Sequence, residues 1–199
     1  MNSQIMYLLV VLVLFLGVIA QNEAEDKDFV PSLLLESARN DDVLGIRKAI
    51  ADGVNIDVTN VNGWSGALFA VANGRLNALH ALIDAGIDLN QANIEGRTPL
   101  MFAAQQGDKE MVEVLLTNNA DPSIVTPENL SAYEIALESK RQLVALQIAE
   151  SCVLRGIYNN DPDLITMSIK RGAYINIPTP GGWTAIVYAA STGKYKHSS

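Results

Sequence analysis

The chain has 199 residues, 14 Lys+Arg against 22 Asp+Glu, and a formal net charge of −8. Basic residues spread this thinly offer no electrostatic footprint for nucleic acid or anionic lipid. One cysteine excludes an intrachain disulfide, and the two histidines, His80 on a repeat helix and His197 in the tail, are placed for neither a metal cluster nor a histidine-based triad.

Residues 5–20, IMYLLVVLVLFLGVIA, carry no charge. The run falls short of the about 20 apolar residues that a spanning helix needs. It ends in Val18-Ile19-Ala20, and the acidic stretch QNEAEDKD follows. An apolar core before a small-residue cleavage site predicts a secretory signal peptide over 1–20, hence a secreted or periplasmic protein. The only positive charge ahead of the run is the amino terminus, so it also reads as an uncleaved signal anchor holding the protein in a membrane by residues 5–20. Residues 21–31 then form an acidic linker.

From residue 32 onward the chain is periodic. GWSGALFAVANGRLNALHALIDAGIDLN (63–90) aligns without a gap on GRTPLMFAAQQGDKEMVEVLLTNNADPS (96–123), a period of 33 residues. The next unit, 129–151, keeps the first helix and blurs the second. In each unit a short helix follows Ser65, Thr98 or Ser131, whose hydroxyls suit an N-cap, and Pro99 takes a first helical position that needs no N–H. Gly74 and Gly107 end that helix. A second helix carries one apolar stripe, for example Met111, Val112, Val114, Leu115 and Leu116, and stops at Gly86 or Asn119. Helix pairs this small bury their apolar faces only against neighbours. Ala70, Ala103 and Ala136 keep the first helices thin so that units approach closely, while Leu82, Leu115 and Ile148 fill the layer behind.

Segment 33–74 also matches 152–193 at an offset of 119, which is not a multiple of 33. From Asn119 to Gly172 there are 53 residues where two repeats need 66, so one loop finger of about 13 residues is missing near 151. Unit five therefore starts directly with a helix, and the edge of the stack is expected to have a gap or a bend between units four and five. The array runs over 32–193, about five and a half repeats, and a tail of 194–199 replaces a last helix. Ile186, Val187 and Tyr188 would then lack cover and form a self-association surface, the basis of a structural, dimerising alternative.

Chemistry-bearing groups are few. His80 sits at an exposed helix position and His197 in the tail. Asp42 and Asp161 read as N-caps, and Glu23, Glu25 and Asp26 as a solvated linker. No carboxylate pair has the pocket context that raises a pKa, and the glycines keep repeat spacing without a phosphate-cradling pattern. We therefore expect no catalytic residues, no metal, no cofactor and no small-molecule substrate. Cys152 reads as a small hydrophobe in a helix rather than a reactive thiol. Asn129-Leu130-Ser131 is an N-glycosylation sequon and equally an ordinary turn asparagine followed by an N-cap serine.

Over 32–193 the chain resembles the ankyrin repeat. Gly96-Arg97-Thr98-Pro99-Leu100 matches that family's opening motif, and 102–121 follows its helix–turn–helix pattern. The histidine that usually follows Thr-Pro-Leu is replaced by Leu68, Met101, Glu134 and Val187. The family's hydrogen-bond link between units is therefore absent, and lower stability is expected. The resemblance implies an all-α solenoid acting as a non-catalytic protein-binding module. It places partner contacts at finger tips and first-helix ends. These are Val61, Asn62, Trp64, Ala72 and Asn73 in unit two, and Ile94, Glu95, Arg97, Gln105 and Gln106 in unit three. Unit four adds Glu128, Leu130, Glu138 and Ser139, and unit six Trp183. Trp64 and Arg97 are the residue types that most often anchor an interface.

Overall fold

A computed structural model describes residues 33–159 and 161–173. The signal-peptide, linker and tail expectations, Trp183, and the Ile186–Val187–Tyr188 surface lie outside these residues. The described residues form an all-α repeat solenoid of nine helices: α1 (33–40), α2 (Val43–Ala51), α3 (Gly66–Ala72), α4 (Leu76–Asp84), α5 (Pro99–Gln106), α6 (Lys109–Thr117), α7 (Ala132–Glu138), α8 (Gln142–Asn159) and α9 (Pro162–Lys170). Among them no helix is long and apolar enough to cross a membrane. Between the pairs stand three loop fingers, two (53–65), three (86–98) and four (119–131). Isolated bridges Thr59–Ser65 and Val125–Ser131 pin fingers two and four.

The period is written in the backbone. Left-handed residues recur at Asp41, Gly74, Gly107 and Lys140, at Gly53, Gly86 and Asn119, and at Gly63, Gly96 and Asn129. These are the turns between paired helices, the stops of the second helices and the finger tips. The next residue in the second series is Cys152, which lies inside α8. A β-carbon resists the left-handed conformation that would stop the helix. The helix runs on for 18 residues, joining the second helix of unit four to the first helix of unit five, and no finger stands near 151.

Ala70, Ala103, Ala104 and Ala136 are buried, and one continuous core runs from Leu34 to Cys152. A second, smaller cluster of Ala149, Val153, Ile157, Ile165 and Ala173 holds α9 to α8. Asp42 and Asp161 cap their helices as expected, accepting from Gly45 N at 2.9 Å and Leu164 N at 3.0 Å. Ser65 accepts from Leu68 N at 3.4 Å. Thr98 does not cap with its hydroxyl, because the amide it would serve, Met101 N, donates to the Thr98 carbonyl at 3.1 Å. At Ser131 the Glu134 carboxylate accepts from both the backbone N–H and the hydroxyl.

The missing histidine link is replaced by other bonds between units. Asp41 accepts from Ala78 N at 2.8 Å and from Asn77 Nδ2 at 2.9 Å. Asp57 Oδ1 accepts from Asp88 N at 2.8 Å, and one repeat later Asn90 Oδ1 accepts from Asp121 N at 2.7 Å. The units are thus joined by short side chains that reach the next unit's backbone. The next position in that series is Ser123, whose hydroxyl turns back to Asp121, and among the described residues no further finger stands beside it.

Candidate protein-binding surface

Fingers two and three lie side by side, tied where Ile94 N donates to the Asn62 carbonyl at 3.1 Å. Their tips present Val61 at 96% exposure and Ile94 at 73%. One repeat further on, Pro127 is also exposed. A proline has no N–H, so the backbone link between fingers two and three cannot recur between three and four. Pro127 packs over Gly96 instead. The three tips make an apolar ridge at 33-residue spacing.

Behind the ridge stands an aromatic wall. The half-buried Trp64 ring lies 5.2 Å from Phe69 and 5.1 Å from Phe102, tilted at 44° and 53°, the geometry that aromatic pairs favour. The Arg97 guanidinium sits 4.5 Å from the Phe102 ring centre and donates to Gln105 Oε1 at 2.8 Å. Gln106 reaches across to the Ala72 carbonyl at 2.8 Å, and Asn73 folds back on the Phe69 carbonyl at 2.8 Å. The structure therefore gathers Asn62, Trp64, Asn73, Ile94, Arg97, Gln105 and Gln106 along neighbouring fingers and first-helix ends. Glu95 is exposed beside them, whereas Leu130 is half-buried and packs on the core. Phe69 and Phe102 were not among the expected contacts. Their signal was available, since they are aromatic residues one repeat apart.

Where the fifth finger is missing, a cavity of about 340 Å³ opens between finger four, the start of α7, the middle of α8 and one face of α9. The Arg171 guanidinium pairs with Glu134 at 2.5 Å and lies 4.6 Å from the Tyr133 ring centre, while Tyr133 OH donates to the Arg171 carbonyl at 2.9 Å. Arg155 pairs with Asp121 at 3.0 Å. Burial pushes the Glu134 pKa up, but the Ser131 hydrogen bonds and the Arg171 charge outweigh it, so the carboxyl sits below its ordinary value. Burial holds the Cys152 thiol up at about 11 against the pull of Arg171 and Arg155. Neither group is poised for chemistry at neutral pH: the carboxylate is ionised and paired, and the thiol is protonated. No cluster of three or more His, Cys, Asp or Glu among the described residues is placed to hold a metal.

The thiol carries a prediction with a definite sign. Its folded pKa exceeds the unfolded value of 9.0, so its contribution to stability is complete below pH 9 and is lost as pH rises toward 11. Native protein at pH 8 should resist iodoacetamide while urea-unfolded protein reacts fully. Equal alkylation rates in the two states would place Cys152 at an accessible position, contrary to its 2% exposure.

A family model described as ankyrin repeats matches residues 18–126 in three copies. A search of curated proteins returned no match. The family match stops at Thr126, and α7, α8 and α9 continue the stack beyond it by geometry. With more than half of its length matched and all its described helices in this arrangement, the chain belongs to the ankyrin-repeat family.

Proposed function

We propose that this protein is an exported, non-catalytic binding module that holds a protein partner against the ridge of Val61, Ile94 and Pro127 and the wall of Trp64, Phe69, Phe102 and Arg97. Ankyrin repeats are generally protein–protein interaction modules and typically non-catalytic. The observation that carries the reading is the pair of apolar tips, Val61 and Ile94, held in water by a finger-to-finger hydrogen bond. Clustered apolar side chains on a rigid scaffold that gain nothing from folding point to a surface meant for another molecule. Export is supported by the uncharged run of residues 5–20 ahead of an acidic flank.

Trp64 contributes to the fold as well as to the surface, because its ring joins unit two to unit three. Its truncation would therefore mix loss of binding with loss of stability, and the exposed tips give the cleaner test. A photo-crosslinking amino acid is placed at Ile94 in one preparation and at Leu44, an exposed leucine on α2, in another, and each is irradiated in the medium of the native cells. The reading predicts one protein joined through position 94 and not through position 44. Crosslinking through position 44 alone would move the interface off the fingers.

A further inference from the structure

We infer that Asn129 carries an N-linked oligosaccharide seated in the space that the absent fifth finger leaves; the inference rests on the export reading above. Three finger tips hold a left-handed residue at the same repeat position, Gly63, Gly96 and Asn129, with φ of 73°, 74° and 64°. At the first two a side chain would crowd the neighbouring finger, tightly at Gly63 and with a clash at Gly96. A β-carbon on Gly63 would lie 3.1 Å from Asn93 Cα and Ile94 N, and one on Gly96 would lie 2.7 Å from Pro127 Cδ. Both obstructions belong to the following finger. Behind finger four α8 runs on through Cys152, so among the described residues no finger follows directly. At that tip the chain carries a side chain, and asparagine is among the few residues other than glycine that accept the conformation.

Asn129 is exposed and borders the 340 Å³ cavity. Its backbone N–H donates to the Thr126 carbonyl at 2.8 Å, which fixes the tip, and the residue itself is exposed. Leu130 and Ser131 complete the acceptor triplet. In the transfer, Asn129 Nδ2 bonds to C1 of an oligosaccharide carried on a lipid pyrophosphate. The C1–O bond breaks, the lipid pyrophosphate leaves, and the amide proton passes to a base of the host transferase. Ser131 is buried with its hydroxyl on Glu134, so the triplet is read before unit four folds. Once folded, Val125 and Met167, which are 47% and 44% exposed at the cavity, offer the first sugar an apolar surface.

The test uses the full chain behind a cleavable leader of a eukaryotic secreting host, so that routing does not depend on residues 5–20. The intact mass of the secreted protein is taken before and after peptide-N-glycosidase. The expected result is one oligosaccharide released, none from Asn129→Gln, and an unchanged helical spectrum and melting curve for the glycosylated chain. Gly96→Asn, made on the Asn129→Gln background, writes the same kind of triplet with Arg97 and Thr98 on finger three, where Pro127 blocks the site. Its glycosylated form should reach the medium at several-fold lower yield. A secreted, folded chain unmodified at Asn129 would overturn the inference. A Gly96→Asn chain both modified and secreted at full yield would overturn the argument from space. In a parallel culture without the host leader, failure to appear in the medium would count against export alone.

Discussion

Leu115→Ala is expected to lower the free energy of unfolding by about 2–5 kcal/mol. Leu115 lies on α6 and is fully buried, as are its counterparts one repeat away, Leu82 on α4 and Ile148 on α8. The small Ala103 and Ala104 beside it let the first helices approach, so the leucine is what fills the volume behind them. Removing three carbons from unit three leaves a void that its neighbours are not free to close, since units two and four are each held to unit three by hydrogen bonds. In a repeat stack the loss is also felt at both interfaces of unit three. Urea unfolding followed by circular dichroism measures the effect. Leu44→Ala, at a position 77% exposed, is the control and should stay within about 0.5 kcal/mol. Equal effects from the two substitutions would mean that α6 does not face the core as described.

Gly96→Ala is expected to cost about 2–5 kcal/mol, combining about 1–2 for a left-handed residue with a β-carbon and about 1–3 for overpacking. Its φ is 74°, and the added carbon would stand 2.7 Å from Pro127 Cδ, an atom fixed in a ring. Gly86 provides the comparison. Its φ is 85°, but nothing lies within 4 Å of its β-carbon position, so Gly86→Ala should cost only about 1–2 kcal/mol. Thermal melts of both variants decide the matter. If Gly86→Ala proves as costly as Gly96→Ala, the finger-on-finger contact is looser than described, and the space beyond Asn129 loses its special standing.

Most of the architecture could be read before any coordinates, because its signals are periodic and local. Glycines at 33-residue spacing marked the turns, paired alanines marked close approach, and the offset of 119 marked the lost finger. What could not be read was how units would be joined once the expected histidine was absent. The replacements, Asp41, Asp57 and Asn90, are short polar residues in loops, and nothing local distinguishes an Asx that bonds its own turn from one that reaches the next unit. Thr98 shows the same limit in reverse: the residue type suits a cap, yet a backbone carbonyl takes the donor instead. At the surface, the tips and first-helix ends came from resemblance alone, and residue type offers Trp64 as an interface anchor. Its second role, packing between Phe69 and Phe102, depends on the distance between adjacent units. The cavity at units four and five was foreshadowed only as a gap, since its walls come from three separate helices and a finger.

The most direct measurement of the central claim is the affinity of the partner captured through position 94 for purified wild-type protein, Val61→Glu, Ile94→Glu and Leu44→Glu. Both tip side chains project into water and make no core contact, so all variants should melt within a few degrees of wild type. The finger-ridge interface predicts that each tip variant binds at least about tenfold more weakly, about 1.4 kcal/mol, while Leu44→Glu binds as wild type does. Unaltered affinity in both tip variants, with the fold intact, would contradict it.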